Sequence, residues 1–151
     1  MRYRVVAVGK LREAFYRDGC AHYLHRLRAL APCEMVEVRE GRGEAAAAKR
    51  AEGAALLAAA DGFRVALDEG GRRFTTRELA KRVGEMELAG ESRVTLLVGG
   101  AEGHDDELKA AVDERWSLSA LTFPHDLARL VLLEQLYRVE TLRAGHPYHR
   151  G

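Results

Sequence analysis

Residues 94–103, V-T-L-L-V-G-G-A-E-G, constrain this chain more than any other stretch. Val94, Leu96, Leu97 and Val98 leave only Thr95 suited to water, so the run predicts a strand covered on both faces, as in the middle of a parallel sheet. Gly99, Gly100 and Gly103 then end it. A turn without Cβ atoms reaches φ > 0 and lets a ligand approach the backbone closely. In open α/β sheets ligands sit beyond the carboxyl ends of the strands. This strand end is the candidate floor of a binding site.

A second strand end of the same kind comes earlier. Residues 63–68, F-R-V-A-L-D, read as a strand broken by Gly70-Gly71, so Leu67 and Val98 would wall one crevice as neighbours. Strand and helix patterns alternate around them. Residues 2–8 predict a first strand, and residues 12–30 a helix with Phe15, Ala21, Leu24, Leu27 and Leu30 on one face. The remaining positions carry Arg12, Arg17, His22, His25, Arg26 and Arg28, which form either a solvated face or a shallow surface for an RNA backbone. Beyond Pro32, residues 34–40 alternate charges as an edge strand does. An alanine-rich helix covers residues 44–60. Thr75 or Thr76 caps the next one, which runs to about Leu88, with Glu78 placed for a capping box. Asp105 or Asp106 starts a short helix over residues 105–115, and residues 116–123 read as strand and loop ended by Pro124.

The last helix spans residues 126–143. Its apolar positions, among them Leu127, Leu130, Val131, Leu133 and Leu142, cover more than one face, which predicts a homodimer packed partly on this helix. No repeat, linker or change of composition interrupts the alternation, so residues 1–151 predict a single α/β domain with its own core. No apolar run approaches the roughly 20 residues of a membrane span, and the N-terminus lacks the apolar stretch of a signal peptide. A cytoplasmic protein without membrane contact is expected. Cys20 and Cys33 read as reduced buried thiols, and no metal is assigned.

Formal net charge is only +1. Chains that hold nucleic acid by bulk charge are far more basic, so any RNA partner must be recognised locally. The glycine turn, G-G-x-x-G, is neither G-x-G-x-x-G nor a Walker A loop, and no lysine in it meets a phosphate. Its one charge, Glu102, repels phosphates. An adenosine ligand without phosphates fits better, and the sulfonium of S-adenosylmethionine tolerates an acidic neighbour. The C-terminus, residues 145–151 (G-H-P-Y-H-R-G), packs two imidazoles, a phenol and a guanidinium into five positions. Chain ends are usually plain. This one reads as a tail that reaches an active site.

Several stretches together resemble the RlmH family: V-G-G-A-E-G at residues 98–103, S-L-S-A-L-T-F-P-H at residues 117–125, E-Q-L-Y-R at residues 134–138 and H-P-Y-H-R at residues 146–150, with V-A-V-G-K-L near the start. The resemblance spans the chain. It implies a SPOUT-class methyltransferase with a C-terminal trefoil knot, which methylates N3 of a pseudouridine in large-subunit (23S) ribosomal RNA on assembled ribosomes. S-adenosyl-L-methionine is the implied cofactor, and RNA rather than DNA the implied partner of a homodimer. Cofactor contacts are implied at Leu67, Gly99, Leu118, Ser119, Ala120, Leu121, Thr122 and Phe123. Ala101 departs from members that carry proline there.

N3 of a pseudouridine bears an imide proton, so a group within hydrogen-bond reach must accept it or stabilise the anion. The candidates are His146, Tyr148 and His149, with Arg150 gripping phosphate or the anion. His125 reads as a cap or packed imidazole and His104 as a solvated loop residue. Arg129 and Arg138 are either exposed helix charges or part of an RNA surface. A ribosome-associated RNA-binding module without catalysis is the alternative. A dehydrogenase-like nucleotide enzyme lacks its G-x-G-x-x-G opening.

Overall fold

A computed structural model describes residues 1–149. Ten elements alternate along them: β1 (Arg2–Val8), α1 (Ala14–Arg28), β2 (Cys33–Val38), α2 (Ala45–Ala59), β3 (Phe63–Arg73), α3 (Thr76–Leu88), β4 (Arg93–Val98), α4 (Asp106–Ala111), β5 (Glu114–Ser117) and α5 (His125–Arg143). The strands form one sheet in the order β2-β1-β4-β3-β5, and every pairing is parallel. β4 is the middle strand, with all residues from Val94 to Val98 buried. β2, with its alternating charges, lies at an edge.

The period-two pattern of the strands sorts two cores. Val5 and Ala7 of β1 and Val94, Leu96 and Val98 of β4 face α1, α3 and α5, while Val6, Val8 and Leu97 face α2 and α4. Helices on both faces are what a parallel sheet requires. Thr95 was expected to suit water, yet it is fully buried. Its hydroxyl donates to the Asp61 carbonyl at 2.6 Å and accepts from the Asp61 amide at 2.9 Å, which removes the cost of burying it.

Two boundaries and one helix face differ from the sequence expectation. β3 does not stop at Gly70-Gly71 but runs on to Arg73, because its pairing with β5 slips between Leu67 and Arg72. A Cβ on Gly71 would stand 2.6 Å from the Arg115 carbonyl, so the glycine lets β5 close in. α4 ends at Ala111, because residues 114–117 are claimed by β5. On α1 the buried side is Cys20 and Leu27, with Tyr16, Tyr23 and Leu24 partly covered, and Phe15, Ala21 and Leu30 are exposed.

α5 packs between α1 and α3. Leu132, Leu133, Leu136 and Val139 are buried, and Leu127, Leu130, Val131 and Leu142 are half-buried. One chain thus covers more of this helix than its apolar pattern suggested. Arg129, expected at the surface, is fully buried. It donates to Glu37 at 2.6 Å and to the Val8 and Gly9 carbonyls at 3.3 and 3.0 Å, so the first turn of α5 is tied to the carboxyl ends of β1 and β2. Among the described residues no helix is long and apolar enough to cross a membrane.

Candidate functional site

β3 and β4 are hydrogen-bonded neighbours, so their two glycine-bearing ends do stand side by side. Beyond them, and beyond the end of β5, opens a cavity of about 790 Å³. Its floor is Val98 and the turn 99–103, which Gly103 closes by donating its amide to the Gly100 carbonyl at 3.0 Å. A Cβ on Gly99 would lie 3.1–3.2 Å from Gly103 backbone atoms and from Cε1 of His104, so a side chain there would have to push the turn aside by a few tenths of an ångström. One wall is Leu67 with Asp68 and Glu69. The other is the loop 118–124 that joins β5 to α5.

That loop is fastened by its serines. Ser117 Oγ donates to the Ser119 carbonyl, and Ser119 Oγ accepts from the Leu121 amide, both at 2.9 Å. Leu67, Gly99, Leu118, Ser119, Leu121, Thr122 and Phe123 all border the cavity. Ala120 is exposed and is not part of its wall. Leu121 stands 70% exposed at the mouth, an apolar side chain with nothing over it in one chain.

Sequence reasoning missed several polar residues here. Lys49 comes from α2 and Lys109 from α4, although the glycine turn itself holds no lysine. Lys109 lies 4.0 Å from Asp68, and with Glu69 and Glu102 the wall carries two lysines and three carboxylates. Asp68 is itself paired to Arg115 at 2.8 Å. No local motif announces such residues, since four elements contribute them. His125 also borders the cavity; it opens α5 and lies 3.3 Å from Asp126. His104 is a correction. It was expected in solvent, but it is buried, with Nε2 3.1 Å from the Leu97 carbonyl, and burial lowers its pKa below the ordinary imidazole value.

The described part of the tail, through His149, does not reach this cavity within one chain. Gly145 takes φ 71° and, with the His146 amide bonded to the Thr141 carbonyl, turns the chain back along α5. Tyr148 then stacks edge-on against Tyr137 at 4.7 Å, beneath the guanidinium groups of Arg26 and Arg138. Its hydroxyl donates to Glu134 at 3.3 Å, and Arg138 donates to Nδ1 of His149 at 3.3 Å. Arg138 is itself paired to Glu134. The cavity touches α5 only at His125 and Ala128, about 15 Å along the helix from Arg138. Burial and the Glu134 carboxylate push the Tyr148 phenol above its usual pKa, so as docked it is a poor proton acceptor. His146 is exposed, and Arg150 lies outside the described residues.

A parallel sheet with a cavity beyond the carboxyl ends of its strands is the arrangement in which open α/β proteins hold their ligands. The chain belongs to the SPOUT methyltransferase family, whose model, described as "Predicted SPOUT methyltransferase", matches residues 1–149. Within it, the proteins named Ribosomal RNA large subunit methyltransferase H are full-length relatives. One from Thermus thermophilus is 52% identical over 151 residues, covering 99% of each chain, and that of Gloeobacter violaceus 45% over 154, covering 100% of each. Among solved structures, a probable methylase family protein from Haemophilus influenzae superposes with a TM-score of 0.59 at 12% identity, over 99% of this chain and 70% of that one. A probable methyltransferase from Bordetella pertussis gives 0.57 at 14%, over 92% and 96%. At such identities the superpositions speak for the fold alone.

Proposed function

We propose that this protein is an S-adenosylmethionine-dependent methyltransferase that modifies N3 of a pseudouridine in 23S rRNA on the assembled ribosome. The name shared by its full-length relatives supports large-subunit rRNA as the substrate. The cavity is the single observation that carries the chemistry. Gly99, Gly100 and Gly103 leave much of its floor without Cβ atoms, which suits a ligand laid against backbone, and the mix of lysines and carboxylates on its wall suits a ligand carrying both signs of charge. Lys49 and Lys109 would hold the ligand's carboxylate and Glu69 and Glu102 its ammonium, since Asp68 is already paired to Arg115. Leu67, Leu118, Leu121 and Phe123 suit the adenine ring, and the exposed loop around Ala120 closes beside it. Bound there, the cofactor supplies an electrophilic methyl carbon on sulfur.

Transfer breaks the sulfur–methyl bond and forms the N3–methyl bond, and the imide proton leaves N3. His146 or His149 takes that proton, Tyr148 orients the base, and Arg150 holds a phosphate or the anion. Because the tail of one chain docks away from its own cavity, the protein works as a homodimer in which the tail of one subunit completes the cavity of the other. The single domain is threaded as a trefoil knot in its C-terminal part, and the protein acts in the cytoplasm, where ribosomes are. A net charge of +1 gives little grip on naked RNA, so ribosome shape supplies most of the affinity.

Mass spectrometry of 23S rRNA from unmodified ribosomes, incubated with the protein and labelled cofactor, tests this. One labelled methyl on a pseudouridine is expected, with whichever of His146→Ala and His149→Ala removes the base slower by roughly 10²–10⁴-fold. No label, or equal labelling of an isolated rRNA fragment, would overturn the activity or its dependence on the ribosome respectively.

A further inference from the structure

His104 follows Gly103, whose φ of 75° swings the chain so that the imidazole tucks under the turn 99–103. A carbonyl oxygen only accepts, so the contact with Leu97 assigns the hydrogen to Nε2. Burial keeps the ring neutral. Nδ1 is then a bare acceptor. It has no partner among the described residues, it is not among the polar atoms sealed from solvent, and the ring borders the cavity beside Gly99.

We infer that His104 contacts the ligand directly: Nδ1 accepts a hydrogen bond from an N–H or O–H group of bound S-adenosylmethionine, while Nε2–H anchors the ring to β4. This rests on reading the cavity as the site of that cofactor. The geometry makes the imidazole a selector for a donor at this spot, since a ligand acceptor would face its lone pair. It also makes binding sensitive to acid. Protonating Nδ1 turns the acceptor into a donor and adds positive charge to a site that would hold a ligand with net positive charge. The charged groups around the ring are Asp68 on β3, Asp105 at the start of α4 and Lys109 on it, with Lys49, Glu69, Glu102 and His125 elsewhere on the cavity wall. Because burial lowers the ring's pKa, the acceptor is intact near neutrality and is lost as pH falls below the ordinary imidazole range.

Calorimetric titration of the full chain with S-adenosylmethionine, at about pH 7.5 and about pH 5.5, tests this with no turnover involved. His104→Gln reaches the Leu97 carbonyl with its amide nitrogen and leaves nothing in the place of Nδ1. His104→Asn puts an amide oxygen there that does not titrate. Near neutrality His104→Gln should bind roughly three- to tenfold more weakly than wild type. His104→Asn should bind more tightly than His104→Gln. Wild type should lose affinity in acid while both variants hold theirs. Should the glutamine variant melt early, the comparison of wild type with His104→Asn across pH decides alone. Methylthioadenosine, which keeps the ring and ribose donors but not the ammonium, assigns the partner: an equal penalty in His104→Gln points to adenine or ribose, no penalty to the ammonium. Equal affinity of wild type and His104→Gln for S-adenosylmethionine, or an acid loss that persists in the variants, overturns the inference and leaves the cavity reading standing. Wild type that binds no cofactor at either pH overturns both.

Discussion

At the level of single residues, the site depends on what is absent as much as on what is present. Gly99 sits where any Cβ would press on Gly103 backbone atoms, which cannot swing aside as a side chain can. Gly99→Val should therefore displace the turn 99–103, weakening S-adenosylmethionine binding roughly tenfold or more by calorimetry and lowering the melting temperature as well. The two cysteines are the opposite case, groups with reactive chemistry and no access. Burial pushes the Cys20 thiol up to about 11 and the Cys33 thiol up to about 12. At pH 8 the thiolate fraction of Cys20 is then on the order of one in a thousand, and that of Cys33 lower still. Neither should react with a chromogenic disulfide reagent in the native protein, and both should react at once in guanidinium; prompt labelling without denaturant would contradict their burial. Arg129 shows what could have been read earlier. It stands three and four positions before Leu132 and Leu133, on the stripe that continues to Leu136, so its burial was written in the period of α5. A charged residue on such a stripe is discounted by habit, although a guanidinium that satisfies two strand-end carbonyls and a carboxylate belongs there. His104 left no such mark. Only the folded turn brings it under β4.

Elements were legible where their signal is local. The apolar run of β4, the Thr75 cap of α3, whose hydroxyl accepts from the Glu78 amide at 3.1 Å, and the edge character of β2 all follow from neighbours in the chain. The extension of β3 through Gly70-Gly71 was not legible. Paired glycines ordinarily end a strand, and here they serve a partner that arrives about 45 residues later. β5 has only four residues, so its hold on β3 depends on that close approach. Gly71→Ala should push β5 outward and destabilise the protein by about 1–3 kcal/mol in urea unfolding. Hydrogen exchange should show the loss first at Trp116 and Ser117, and cofactor affinity should fall with it, because β5 leads directly into the cavity loop. An alanine variant as stable as wild type would mean that the slip in register, not the bare Cα, accommodates β5.

The whole molecule raises the question of where the tail works. Tyr148 and His149 are held by Glu134, Tyr137 and Arg138, while the cavity meets α5 only at its first turn. If the tail served its own cavity, it would have to abandon this stack and travel back along most of the helix. If it serves a second copy, the stack instead presents it outward, and the exposed Leu121 at the cavity mouth gains a cover. Two defective chains separate these arrangements. Gly99→Val removes the cradle and keeps the tail; His149→Ala keeps the cradle and removes the tail. With cofactor held below the raised Kd of Gly99→Val, each alone should be far slower than wild type. Unfolded together and refolded, the two chains of the proposed dimer would mix, and for a tail acting across the interface each mixed dimer would have one intact cavity served by one intact tail. Random pairing then restores about a quarter of the wild-type rate in the mixture, because half the dimers carry one working site of two. A tail acting within its own chain restores nothing, since no subunit then holds both working parts. Recovery on mixing is the expected result, and its absence, with mixed dimers demonstrated by mass, would place the reaction within single chains.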